Sequence, residues 1–350
     1  MSKIALVCPG QGGQFKGMVQ HTIDELKKIR SLKRFFDAGP YCSPLFCMLN
    51  SFKSIMGYDP IEASNDEEKL SQTLYLQPLI FLTTAMVLGA LREINEPKNG
   101  CPLPDEKVDT PKFDFRYILG HSLGEFSAIF GAGFLDFETV LRLVKHRAEL
   151  MYEVSTGEGQ GMWAILGKDL NVQAIEDELR STSTLSIANY NSHDQVVISG
   201  LEDTFMEYRE RIMVIEGVNK IRRLGVSGAF HSSLMNDAAS QFRNNLDDTY
   251  LKWGRASIFY VLNYWNPEAV LCSDPVYLSM LGQMTAPVRF QQMIEYTLQQ
   301  DVDTFIELSP GKTLTNSIKK IADKANRDIT VINADNFIEF LSDTEKGEAI

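Results

Sequence analysis

The sequence predicts an α/β fold: a large α/β-hydrolase-like domain on a parallel sheet, with a small ferredoxin-like domain inserted into it. Three observations carry this. Ile4–Cys8 and Phe113–Leu119 are short, continuously apolar runs, the form of parallel strands buried on both faces. Long helical patterns alternate with them. Between Gly161 and Leu224 the order becomes β-α-β-β-α-β, the split βαβ arrangement.

In chain order, Ile4–Cys8 stops at Pro9-Gly10, and a helical region follows. Thr73–Leu91 reads as a long apolar helix interrupted near its start by Gln77-Pro78. Asn95–Pro111 holds Pro97, Pro102, Pro104 and Pro111 among many charges and is expected to be an exposed connecting loop. After Phe113–Leu119 come a sharp turn and a helix. The small domain reads as strand Met162–Leu166, helix Val172–Leu179, strands Leu185–Asn189 and Val196–Ser199, helix Glu202–Glu216 and strand Lys220–Leu224. The expected division is 157–225 for the insert, 1–156 with 226–341 for the large domain, and 342–350 as a flexible polar tail.

Composition narrows the function classes. With 350 residues, 44% hydrophobic and 23% charged, the chain has the make-up of a soluble globular protein with a sizeable core. No run of consecutive apolar residues approaches the roughly 18 of a membrane span, and Met1-Ser2-Lys3 leads into a strand rather than a signal peptide. Cys8, Cys42, Cys47, Cys101 and Cys272 are scattered, which suggests a reducing compartment and neither a zinc site nor a disulfide framework. A net charge of −12 argues against nucleic acid as a partner.

Gly120-His121-Ser122-Leu123-Gly124 has the form of a nucleophile elbow. Small residues let the strand-to-helix turn close tightly, and the helix start favours developing negative charge. A serine hydroxyl needs a general base. Of His21, His121, His146, His193 and His231, the last follows the small-residue segment Val226–Phe230 where the large domain resumes, and is the preferred candidate. Asp136, Asp194 and Asp203 are candidate acids without distinguishing context.

These residues belong to a longer series. Pro9-Gly10-Gln11-Gly12-Gly13-Gln14, Gln77-Pro78, Gly120–Glu125, Asn189-Tyr190-Asn191-Ser192, Gln195–Gly200, Gly228-Ala229-Phe230-His231-Ser232, Gln283 with Pro287-Val288-Arg289-Phe290, and Pro310–Thr315 occur in order. The series resembles the malonyl-CoA:acyl-carrier-protein transacylase family over nearly the full length, departing from it at Gly13, where the family has serine, and at Cys8, where an aromatic is usual. The resemblance implies that Ser122 is acylated and His231 is its base. The peptide N–H groups of Gln11 and Leu123 would form the oxyanion hole, and a main-chain carbonyl near Gln283 would orient the histidine in place of an aspartate. His121 and Gln77 would support the site, and Asn189, Asn191 and Gln195 would line the cleft, with an internal structural role equally open for Asn191.

Arg147 stands out by periodicity. Val140, Leu143, Val144, Arg147 and Met151 share one helical stripe, so a guanidinium occupies a position that asks for an apolar side chain. A buried salt bridge, a side chain reaching to the helix edge, and a substrate carboxylate are the three readings open to the residues alone. The resemblance implies the last, with Phe230 as a filter against α-branched acyl groups. It also implies malonyl-CoA and acyl carrier protein as partners, coenzyme A thioester as substrate, no bound cofactor or metal, and fatty acid synthesis as the context. An acidic carrier needs a local basic patch. Lys220, Arg222 and Arg223 are the first candidates, and Lys312, Lys319 and Lys320 the second. A monomer is expected. A serine thioesterase or hydrolase and a silent carrier-binding subunit are the rival readings. Modest alanine content, the Asn95–Pro111 loop and the polar tail suggest a mitochondrial matrix protein, with the bacterial cytoplasm as alternative.

Overall fold

The computed structural model of the chain describes residues 2–37, 43–95, 113–155, 159–249, 253–263, 267–309 and 311–346. Most of the expected 95–111 loop, and Pro310, lie outside them. Among the described residues, ten strands form two sheets. The larger comprises β1 (Lys3–Cys8), β2 (Asp114–Gly120), β7 (Phe259–Val261), β8 (Ala269–Val270), β9 (Thr304–Glu307) and β10 (Thr330–Asn333), in the order β10-β9-β1-β2-β7-β8. All its pairings are parallel except β7 with β8.

β1 is apolar throughout because both its faces are covered. Ala5 and Val7 join one core with Phe290, Phe305 and Ile318, while Ile4, Leu6 and Cys8 join the other with Phe81, Phe126 and Val144. The helix Thr73–Asn95 lies in that second core and runs unbroken through Pro78, which falls in its second turn. Gln77-Pro78 therefore does not interrupt it. Among the described residues this helix alone has the length and mean hydropathy (1.8) to cross a bilayer, yet most of it is buried inside the protein.

The second sheet holds β3 (Gln160–Gly167), β4 (Leu185–Ser192), β5 (Gln195–Leu201) and β6 (Val218–Arg223), antiparallel in the order β4-β5-β3-β6. This is the ferredoxin-like order. Helices Val172–Leu179 and Glu202–Met213 cover one face through Ile175, Leu179, Phe205 and Ile212, with Phe205 stacked on Trp163 at 3.9 Å between ring centroids. On the other face Met162, Ala164, Ala188 and Val197 join the larger core. Two hydrogen bonds clasp the ends of this segment: Ser227 Oγ to Ser155 Oγ at 3.1 Å, and Ala229 N–H to Gln160 Oε1 at 3.0 Å. A backbone strap ties β4 to the large unit, with Tyr190 N–H on Val288 O and Val288 N–H on Ala188 O, both 2.8 Å.

The expected tail needs correction. Helix Ala334–Lys346 continues past Ser342, because Phe337, Ile338 and Leu341 form an apolar stripe against the core and Ser342 Oγ reaches Lys28 O at 3.3 Å. Residues 347–350 lie outside the described part.

Candidate active site

β2 pairs with β1 up to Gly120 opposite Cys8 and then turns sharply. Ser122 takes the left-handed conformation, φ 52°, and the helix Gly124–Ala132 begins two residues later. The turn admits nothing larger than glycine at its flanks. A Cβ on Gly120 would lie 2.2 Å from the Gly124 carbonyl carbon, and one on Gly124 would lie 2.0 Å from Cys8 O. His121 N–H bonded to Cys8 O (3.0 Å) and Gly124 N–H bonded to His121 O (2.9 Å) hold it closed.

The Ser122 hydroxyl meets Nε2 of His231 at 2.7 Å. His231 is also left-handed, φ 59°, and follows Gly228, where a Cβ would press on Ser155 and Phe230. Its Nδ1 faces two carbonyl oxygens, Gln283 O at 3.0 Å and Ala286 O at 3.2 Å. Carbonyls only accept, so the proton belongs on Nδ1, and Nε2 presents a lone pair to the serine. Burial, then the charge of Arg147, holds this imidazole neutral down to about 3.

The candidate acids lie elsewhere. Asp136 bonds Thr139 N–H at 2.8 Å, Asp194 pairs with Lys320 at 3.0 Å, and Asp203 sits in the first turn of Glu202–Met213. His21, His146 and His193 face Asp335, Glu149 and Glu295, respectively. His121 bonds Asn191 Oδ1 at 2.8 Å, a contact between the two sheets, and both residues also line the cleft.

Arg147 is 1% exposed, in the helix Phe137–Ser155. Its side chain does not reach to the helix edge. Nη1 donates to Gln77 Oε1 at 2.5 Å, Nε donates to Gln283 Oε1 at 3.1 Å, and Nη2 lies 3.4 Å from Ser122 Oγ. Phe126 lies under the guanidinium, 5.6 Å to the ring centroid. Among the described residues it forms no ion pair with a carboxylate. Burial pulls it down to about 10, so it stays cationic at neutral pH. Gln283 serves three groups: its carbonyl orients His231, its side-chain oxygen accepts from Arg147, and its Nε2 donates to Ser122 O at 2.9 Å.

Three contributors were not singled out from the sequence: Ala286 O, Asn263 and Glu125. Backbone carbonyls carry no side-chain signal. Glu125 did carry one, since Gly-Glu-Phe-Ser-Ala-Ile-Phe-Gly-Ala is otherwise a helix of apolar and small residues, and every residue of it is buried. Burial pushes the Glu125 carboxyl up to about 8, against the pull of Gln283, Arg147 and Asn263.

A cleft of about 520 Å³ opens over Ser122 and His231 between the two sheets. Gln11, His121, Asn189, Asn191, Gln195, Phe230, Met151 and Arg222 line it. Gln11 is held by its side chain on Thr73 Oγ1 at 3.2 Å, and Leu123 is buried immediately before the helix. At Gly13, a Cβ would stand 3.2 Å from Ser309 Oγ, so the glycine accommodates that hydroxyl. Lys220 and Arg222 are exposed on β6, and Arg223 pairs with Glu202 at 3.0 Å. Lys312, Lys319 and Lys320 are exposed at the helix Thr313–Lys324, away from β6 in the chain. A neutral imidazole on a serine, with a buried guanidinium held by two amides beside them, suits acyl transfer through a serine ester on an acid-bearing acyl group.

Comparison with known proteins agrees with this chemistry. A family profile described as "Acyl transferase domain" matches residues 116–334. A malonyl-CoA–acyl carrier protein transacylase of Staphylococcus aureus (strain COL) is 30% identical over 336 residues, covering 94% of each chain. One of Bacillus subtilis (strain 168) is 33% identical over 324 residues, 92% of this chain and 91% of that one. Both are bacterial and lend no support to a mitochondrial compartment. Among solved structures, the malonyl-CoA:ACP transacylase of Synechocystis sp. PCC 6803 matches with TM-score 0.75 at 28% identity, covering 95% of this chain and 96% of that one. A malonyl-transacylase in complex with a type II PKS acyl-carrier protein matches with TM-score 0.74 at 26% identity, covering 95% of each. From the strand that carries the nucleophile to the last core helices, then, this chain belongs to the malonyl-CoA–acyl carrier protein transacylase family of acyl transferases.

Proposed function

We propose that the chain transfers malonyl from malonyl-CoA to the phosphopantetheine thiol of an acyl carrier protein, supplying fatty acid synthesis, by a two-step route through malonyl-Ser122. Ser122 Oγ attacks the thioester carbonyl as its proton passes to His231 Nε2. The peptide N–H groups of Gln11 and Leu123 stabilise the oxyanion, and coenzyme A leaves as a thiol carrying the proton from Nε2. The carrier thiol then gives its proton to His231 and attacks the ester, and Ser122 departs re-protonated. Arg147 receives the free carboxylate of malonate, and Phe230 limits branching beside it.

The observation that carries this reading is Arg147: a buried guanidinium with no hydrogen-bonded carboxylate among the described residues, 3.4 Å from the nucleophile. A planar fork of donors takes a carboxylate bidentately, and acetyl-CoA would leave it unanswered. Asn189, Asn191, Gln195, Gln77 and His121 shape the cleft, and Arg222, which lines it, forms the carrier dock with Lys220 on the same strand. We read 157–225 as an inserted unit within 1–156 and 226–341. Every residue invoked comes from one chain, so a monomer suffices. The substrates imply a compartment rich in coenzyme A thioesters, either bacterial cytoplasm or mitochondrial matrix.

The test is intact-protein mass spectrometry after brief exposure to malonyl-CoA, followed by addition of carrier protein. One malonyl group should appear on the native enzyme, be missing from Ser122→Ala, and move to the carrier. An adduct that disappears as free malonate, with none on the carrier, would assign a hydrolase instead.

A further inference from the structure

Glu125 has no part in the transfer just described, yet it is a carboxyl buried to 2% beside a guanidinium buried to 1%. Its Oε1 finds no hydrogen-bond partner among the described residues. The amides of Gln283 and Asn263 lie close to the carboxyl, and Asn263 is itself fixed by accepting Arg289 N–H at 2.7 Å. The buried titratable groups that share its surroundings are Arg147 from Phe137–Ser155, Tyr260 from β7 and Cys8 from β1. Burial pushes the last two upward and keeps them neutral, and His231 and His121 are pulled downward and are neutral as well. Within this cluster Arg147 is the standing charge, and Glu125 is the group whose charge changes near neutral pH.

A substrate carboxylate changes that balance. If Glu125 were ionised when malonyl arrived, two carboxylates would share one guanidinium in a site with little water, and one carboxylate oxygen would lack a donor. Both conditions are costly. If Glu125 is protonated, the pairing is one to one. We propose that Glu125 is a charge-compensating positioning residue: it holds a proton while the substrate carboxylate occupies Arg147, so malonyl-CoA binding takes up a proton from solvent that acetyl-CoA binding does not. This rests on the reading of Arg147 as the carboxylate site.

The upward push on Glu125 to about 8 sets the window. Below that pH the acid is neutral and Arg147 is open; above it the Glu125 anion competes for the guanidinium. From pH 7 to pH 9 the protonated fraction falls from about nine-tenths to about one-tenth, so malonyl-CoA affinity falls about tenfold while acetyl-CoA affinity holds.

The test is titration calorimetry on full-length Ser122→Ala, which binds thioesters without reacting, at pH 8 in buffers of different ionisation enthalpy. We expect about half a proton taken up per malonyl-CoA and close to none per acetyl-CoA. In the same background, Glu125→Gln should bind malonyl-CoA equally well at pH 7 and pH 9. Equal uptake for both thioesters, or a Gln variant that keeps the tenfold fall, overturns the Glu125 proposal and leaves malonyl transfer standing. Equal affinity for malonyl- and acetyl-CoA with Arg147 intact would overturn the Arg147 reading and this proposal together. If the Gln variant does not fold, the buffer series decides alone.

Discussion

At the scale of single residues, the chemistry depends on what burial does to charge. His231, the base we propose, is held neutral down to about 3 and so keeps its lone pair across the working range. The rate of Ser122 acylation, followed by rapid quench, should therefore stay within about twofold from pH 5 to 7.5 and show no inflection near the usual histidine value of about 6.5. A tenfold loss per unit below 6.5 would sink this. The same depression has a stability sign. Between about 3 and about 6.5 the unfolded chain binds the proton that folded His231 refuses, so stability rises with pH through that window and falls as the protein is acidified. Arg147→Ala should lower kcat/KM for malonyl-CoA by roughly two orders of magnitude, about 3 kcal/mol, and leave acetyl-CoA near its native value. Unchanged malonyl preference in a competition assay would remove Arg147 from the specificity role. Ser122, His231 and Arg147 could be picked out in the sequence because each breaks a local pattern: a glycine-bracketed serine, a histidine after small residues, a cation on an apolar stripe. What the pattern could not give was Arg147's set of partners. Gln77 and Gln283 are 70 and 136 residues away in sequence, and the use of two backbone carbonyls to orient His231 leaves no mark on side-chain identity.

At the scale of elements, the site depends on how closely a helix approaches a strand. Gly124 brings the start of its helix against β1, and an added methyl would lie 2.0 Å from the Cys8 carbonyl oxygen, which a paired strand cannot withdraw. Gly124→Ala should cost at least about 3 kcal/mol in a urea melt, whereas Gly225→Ala, with nothing within 4 Å of the new atom, should stay within about 0.5 kcal/mol. Equal midpoints for the two variants would show that the turn can relax. The split βαβ order was legible because each element keeps its own period, two for strands and 3.6 for helices. Strand limits moved by a few residues, as β4 shows: it extends to Ser192, where Asn189 and Asn191 break the apolar alternation but serve the cleft. The last helix is masked in the sequence because Ser342 and Asp343 read as a polar tail, whereas the stripe of Phe337, Ile338 and Leu341 before them packs on the core.

At the scale of the whole molecule, a net charge of −12 opposes an acidic carrier, and the dock we propose at Lys220 and Arg222 on β6 is a local exception to that field. Raising salt from about 20 to 200 mM should weaken the native enzyme's apparent affinity for the carrier. For Lys220→Glu with Arg222→Glu it should strengthen it, because only repulsion then remains to be screened. The same salt response in both proteins would move the dock elsewhere. The clasp at Ser155 and Ser227 bears on how such a surface can change. The four-stranded sheet leaves the chain and returns to it one hydrogen bond apart, so altered loop lengths within it need not be transmitted to the reacting pair. Substitutions along the edge proposed to face the carrier can therefore change one surface at a time while the geometry of acyl transfer stays in place.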